Sequence, residues 1–278
     1  PPRRPAAPPI TVSLLHILVL ALVQGITEFL PISSSAHLVL LPVVTGWPDQ
    51  GLLIDVAAHF GSLVAVLVFF RRDVVRLTVG FARWLAGRRD DRDGRLALFI
   101  AVATVPAVVV GVVVKELAPG GLRSPELIGW TALGFGVVLW LADRLGPMRR
   151  AMHDLGLGAA FVIGCAQAIA LVPGTSRSGI TMTAARVLGL HRTEAARFSF
   201  LLSIPAVAGA SLVEGLELAR AGDVALAWDA LLSAAFTFVA ALAAIAWLMR
   251  WLNRGSFTPF VIYRVVLGVG LLGWVYLA

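Results

Sequence analysis

From Leu96 to Val114 the sequence reads LALFIAVATVPAVVVGVVV, with no ionisable side chain between Arg95 and Lys115. A bilayer offers backbone groups no hydrogen-bond partners, so a run like this crosses one as a helix, and about 20 residues suffice. Six stretches read as full spans, at roughly 53–70, 96–115, 127–143, 198–219, 226–248 and 259–277. Composition agrees. Only 14% of residues are charged, against about 25% in an ordinary soluble domain, and the mean hydropathy is +0.88. The chain is expected to be an all-α polytopic membrane protein whose first partner is the lipid bilayer.

A net charge of +7 would also suit a nucleic-acid binder. The arginines, however, sit in short loops between apolar spans, where topology signals belong. Nucleic acid is therefore excluded as a partner. The single cysteine, Cys165, allows no intrachain disulfide and reads as a free buried thiol. The opening PPRRPAAPPI (1–10) reads as a disordered tail, leaving 11–278 as one integral membrane domain.

Two further apolar regions, about 11–46 and 156–190, are interrupted by LPISSS and VPGTSRSG. Proline breaks a helix, and broken helices at membrane depth survive only inside protein or beside a wet cavity. Both regions are expected to be re-entrant helix–loop–helix hairpins. Loop charges then segregate. The basic segments 71–95, 143–154, 191–197 and 250–255 fall on one side, and the poorly charged 45–51, 116–126 and 219–225 on the other. The positive-inside rule makes the basic side cytoplasmic. VQGITEFLPISSS (23–35) matches AQAIALVPGTSRS (166–178) with one gap. That match predicts an inverted repeat, with one half at about 11–143 and the other at about 156–278.

The interruptions also carry the chemistry. Gln24 and Glu28 share a helix face. Ser33, Ser34 and Ser35 open the next helix, with His37 one turn on. In the second motif Pro173-Gly174 turns the chain. Thr175, Ser176, Ser178 and Thr181 supply hydroxyls there, and Arg177 supplies a guanidinium fork suited to phosphate. Helix N-termini attract anions, so two of them facing each other describe a phosphate or pyrophosphate cradle. Glu28 and Gln24 could add a divalent metal to shield phosphate charge. A single membrane serine commonly just bonds backbone. Buried Glu28 and Arg177 are too costly for that bland reading. Asp55 and His59, on one face of the first span, read as structural. Arg264 in the last span reads as a snorkelling or ion-paired side chain.

QGITEFLPISSSAH followed by PGTSRSGIT resembles the undecaprenyl-pyrophosphate phosphatase family, the bacitracin-resistance phosphatases of bacteria. DVAAHFGSLVAVLVFFRRD (55–73) and Tyr263-Arg264 extend the resemblance over nearly the whole chain. It implies ten helices in interdigitated inverted repeats with two re-entrant hairpins, opening to the periplasmic face of the inner membrane. It implies hydrolysis of undecaprenyl pyrophosphate to the monophosphate and inorganic phosphate, dependent on Mg²⁺ or Ca²⁺, which recycles the carrier lipid for peptidoglycan synthesis. Glu28, Ser34, His37 and Arg177 match the family's essential positions. The nucleophile, Ser34 or His37, stays open, as does the choice between monomer and homodimer. A polyprenyl-phosphate transporter or flippase is the alternative from another class. It would need the cradle but no nucleophile with a base.

Overall fold

The computed structural model describes residues 13–48, 51–117, 124–221 and 227–277. The 1–10 tail lies outside them. Among the described residues there are eleven α-helices and no strand: α1 Leu14–Phe29, α2 Ser34–Thr45, α3 Leu52–Phe69, α4 Arg71–Leu85, α5 Arg92–Leu117, α6 Pro125–Leu145, α7 Leu157–Ile169, α8 Arg177–Val187, α9 Arg192–Ala221, α10 Ala227–Trp251 and α11 Thr258–Leu277. Six of them, α3, α5, α6, α9, α10 and α11, are long and apolar enough to cross a membrane. They coincide with the six spans expected from hydropathy.

The helix beyond the ten implied by family resemblance is α4, in a segment whose charge marks it as a basic loop. Its 15 residues alternate arginines with Val75, Val79 and Leu85, all exposed. Charge density suggests a loop there, whereas helical periodicity decides the structure. Gly80 packs on Gly94 in the first turn of α5, so α4 lies across the end of that span.

The short helices form two pairs. At 16 and 12 residues, α1 and α2 are each too short to cross a bilayer. So are α7 and α8, at 13 and 11. Each pair begins and ends at one place. The ring of His16 at the start of α1 lies 4.5 Å, centroid to centroid, from that of Trp47 just after α2. Before α7, the Arg149 and Arg150 N–H groups both donate to Gly189 O, just after α8, at 3.0 Å. Leu30-Pro31 ends α1 as the sequence predicts.

Helix α10 packs between α1 and α3, α11 lies on α6, and α7 lies on α5. Close approach sets these contacts. A Cβ on Gly61 of α3 would sit 2.2 Å from the Ala234 carbonyl oxygen of α10. Cys165 is exposed on α7, contrary to the buried thiol expected, because α7 turns Ile163 and Gly164 inward and that neighbouring face outward. The core centres on α9, whose Phe198 and Phe200 are fully buried. Phe200 meets Phe29 edge to face at 5.4 Å.

The foot of α8 is fixed by a buried charge cluster. Arg186 is fully buried and donates from Nε to Asp143 Oδ1 at 3.2 Å. It donates further to the carbonyls of Asp143, Gly146, Pro147 and Leu190. Asp143 also accepts from Arg192 Nε at 2.7 Å and from the Phe257 N–H at 3.2 Å. Removing one partner strands a buried charge, at a cost of about 3–5 kcal/mol. Asp143→Ala is therefore expected to lower the melting temperature of the detergent-purified protein sharply. Melting unchanged from wild type would show that the cluster does not hold the fold.

Candidate active site

Ser33 and Ser176 are the two non-glycine residues at positive φ among the described residues, at 74° and 71°. Such backbone costs of order 1–3 kcal/mol each and persists where the surroundings impose it. Each caps its helix. Ser33 Oγ accepts from the Ala36 N–H at 3.4 Å, and Ser176 Oγ from the Gly179 N–H at 3.1 Å. Each Oγ also pairs at 3.2 Å with the serine two residues on, Ser35 or Ser178. The two interruptions thus share one local geometry, and they meet. Ser178 Oγ donates to Leu30 O at 3.0 Å.

The central contact is an ion pair between them. Arg177 Nη2 donates to Glu28 Oε1 at 2.8 Å, with both side chains largely buried. The other oxygen, Glu28 Oε2, accepts from Ser34 Oγ at 2.6 Å and from Gln24 Nε2 at 3.2 Å. A hydroxyl is therefore already bonded to a carboxylate that an arginine holds. A cavity of about 200 Å³ opens here, lined by Glu28, Ser33, Ser34, Ser35, His59, Ser176 and Arg177, with Ala170, Ala206, Val207 and Ala210 as its apolar wall. That volume suits a phosphate headgroup and excludes a long prenyl chain.

The remaining residues expected at the phosphate support the site from behind. Gly174 is packed against α6, where a Cβ would fall 2.1 Å from Thr131 Oγ1, and its φ of +85° also demands glycine. Thr175 is fully buried. Thr181 Oγ1 donates to Arg177 O at 2.8 Å and pairs with Ser199 Oγ at 2.7 Å, which holds the first turn of α8. None of these three, nor Ser178, borders the cavity. Spacing in sequence places them in one motif, but of that motif only Ser176 and Arg177 face the space.

His37 differs from expectation as well. Its Nδ1 lies 2.6 Å from Ser33 O and its Nε2 2.5 Å from the Tyr263 hydroxyl. Both nitrogens are engaged, and the ring does not border the cavity. The imidazole that does is His59, a residue that its place in an ordinary span marks as structural. Arg264 neither snorkels nor pairs with a carboxylate. It is fully buried, and its guanidinium donates to five backbone carbonyls: Pro31, Thr131, Ala132, Gly174 and Thr175. It thereby ties both interruptions to α6. Its place in an apolar span is a signal of function, but carbonyl partners leave no mark in a sequence.

Among the described residues no cluster of three or more His, Cys, Asp or Glu side chains could hold a metal. The donors fit a sparser arrangement, in which one carboxylate holds a cation that substrate phosphate completes. Glu28 is the carboxylate that borders the cavity. Gln24 lies behind it, with its amide nitrogen on Glu28 and its buried Oε1 unpartnered.

Fold and site together define a polytopic membrane protein with a serine, a carboxylate and an arginine bonded together at one cavity. Residues 17–270 match the family model described as bacitracin resistance protein BacA, and the chain belongs to that family. It is 50% identical to the undecaprenyl-diphosphatase of Teredinibacter turnerae over 92% of this chain and 97% of the relative. It is 52% identical to that of Maricaulis maris, over 94% and 98%. It is also 50% identical to undecaprenyl-diphosphatase 1 of Rhodospirillum rubrum, over 95% and 96%.

Because Arg264 holds both interruptions through a fork, charge alone should not replace it. Arg264→Lys and Arg264→Met are both expected to lower the melting temperature, Met the more. A Lys variant as stable as wild type would show that the fork geometry is dispensable.

Proposed function

We propose that this chain is an undecaprenyl-diphosphatase, hydrolysing undecaprenyl pyrophosphate to undecaprenyl phosphate and inorganic phosphate. The observation that carries the reading is the 2.6 Å bond from Ser34 Oγ to Glu28 beside Arg177. A lipid carrier would need the arginine but not a hydroxyl already paired with a base. The activity recycles the carrier lipid for peptidoglycan synthesis and accounts for resistance to bacitracin.

Ser34 is the nucleophile in this reading. Its Oγ attacks the terminal phosphorus while Glu28 Oε2 takes the hydroxyl proton. The bond from phosphorus to the bridging oxygen breaks, and undecaprenyl phosphate departs with the proton from Glu28. Glu28 then takes a proton from water as the water oxygen attacks phosphoserine. It returns that proton to Ser34 Oγ as the P–Oγ bond breaks. Arg177 and the first-turn N–H groups of α2 and α8 stabilise the charge on the phosphoryl oxygens. His37 buttresses the strained Ser33 turn against Tyr263. A divalent cation, Mg²⁺ or Ca²⁺, would be held by Glu28, oriented through Gln24, and would neutralise phosphate charge when bound.

The membrane arrangement belongs to the same proposal. The pairs α1–α2 and α7–α8 are re-entrant hairpins entering from opposite faces of the bacterial inner membrane, and the halves at about 11–143 and 156–278 form an inverted repeat within one domain. The ring contact of His16 with Trp47 and the pairing of 149–150 with 189 support this, since each pair returns to the side it left. With the basic loops cytoplasmic, the cavity opens to the periplasmic face.

Phosphate release from undecaprenyl or farnesyl pyrophosphate by the purified protein tests the reading. Ser34→Ala should lose activity to background. Arg177→Ala should lose at least about 10²-fold, and EDTA should abolish release until Mg²⁺ or Ca²⁺ is restored. Quenched reactions should yield an acid-stable phosphoserine. An acid-labile phosphoenzyme would move the nucleophile to His37. A folded wild type inactive with every divalent cation would leave lipid transport as the better reading.

A further inference from the structure

We infer that His59 is a substrate-contacting residue that, with Arg177, holds the pyrophosphate of the lipid; this rests on the phosphatase reading of the same cavity. His59 lies in α3, partly buried, and lines the cavity beside Glu28, Ser34 and Arg177. Its Nδ1 is 2.8 Å from the carbonyl oxygen of Asp55 one turn back. A carbonyl only accepts, so Nδ1 carries a hydrogen and is committed to the helix backbone. That bond fixes the ring plane and leaves Nε2 as the ring nitrogen available to a ligand.

The site needs such a group. Arg177 and Glu28 largely neutralise each other in their 2.8 Å pair, yet a pyrophosphate brings more than one negative charge to the cavity. The apolar wall of Ala170, just after α7, and of Ala206, Val207 and Ala210 in α9 offers it nothing. Among the titratable groups at the cavity, Glu28 repels phosphate and Arg177 is a single cation. His37 is excluded by its bonds to Ser33 and Tyr263. Nε2 of His59 faces the same space and shares a proton of the bound pyrophosphate with a phosphoryl oxygen, so that it holds the headgroup together with Arg177. The contact is formed with the ground-state substrate and bears on binding more than on bond breaking.

The test is a set of variants in detergent-purified full-length protein: His59→Leu, which has no donor; His59→Gln, whose amide N–H reaches a comparable position; and His59→Asn, which is too short. Steady-state hydrolysis of farnesyl pyrophosphate is read alongside its Kd in a Ser34→Ala background and the Ki of inorganic pyrophosphate. His59→Leu and His59→Asn should raise KM, Kd and Ki together by about tenfold, with kcat within about threefold of wild type. His59→Gln should restore all three to within about threefold. Unchanged KM and Kd in His59→Leu would overturn the inference. So would a His59→Gln as weak as His59→Leu, or a loss confined to kcat with phosphoserine accumulating, which would make His59 the group that activates water. If the wild type binds farnesyl pyrophosphate without releasing phosphate, the hydrolytic reading fails while the Kd series still decides the role of His59.

Discussion

The Glu28–Arg177 ion pair is the constraint on which the rest of the structure depends. It joins two helix interruptions that lie 149 residues apart in the chain. Both charges are largely buried, where an unpaired charge is costly and a paired one is tolerated only with good geometry. The pair therefore fixes α1 against α8 and sets where α2 must begin. Ser34 is the third residue after the Pro31 that ends α1, beyond Ile32 and the strained Ser33. With Ser33 at positive φ the next hydroxyl falls on Glu28.

Holding that geometry requires the ends of α8 to stay put, and a different buried arginine serves each end. Arg264 binds the turn before α8 through the Gly174 and Thr175 carbonyls, at 3.0 and 2.9 Å. Arg186 binds the exit of α8 to the end of α6 through Asp143 and the Gly146 carbonyl. The first uses carbonyls alone and fixes the turn that carries Arg177. The second is matched by a carboxylate and serves the fold. Two residues of the same type in similar apolar surroundings thus differ by what faces them.

Much of this is legible in the amino-acid sequence. The spans follow from hydropathy and length. The interruptions follow from Pro31 and Pro173, and their chemistry from Glu28, Ser34 and Arg177, whose presence in apolar sequence needs a reason. What is not legible depends on direction rather than composition. His37 sits one turn from Ser34, yet its ring turns to Tyr263, 226 residues away. Thr175, Ser178 and Thr181 belong to the motif but face protein. His59 lies in an ordinary span, and only the fold brings it beside Ser34. The helix α4 is hidden because its arginines count as loop residues in a charge tally, while its valines keep a helical period.

The resting site is closed on itself. Glu28 is shared among Ser34, Gln24 and Arg177, so in the proposed mechanism the base that takes the serine proton is also the counter-ion of the group that binds phosphate. A phosphate entering the cavity competes with Glu28 for Arg177. As that guanidinium turns to the phosphoryl oxygens, Glu28 loses its strongest partner and becomes a better acceptor for the Ser34 proton. Substrate binding and activation of the nucleophile are then one exchange of partners. A cradle built only to carry a lipid phosphate would have no use for that coupling.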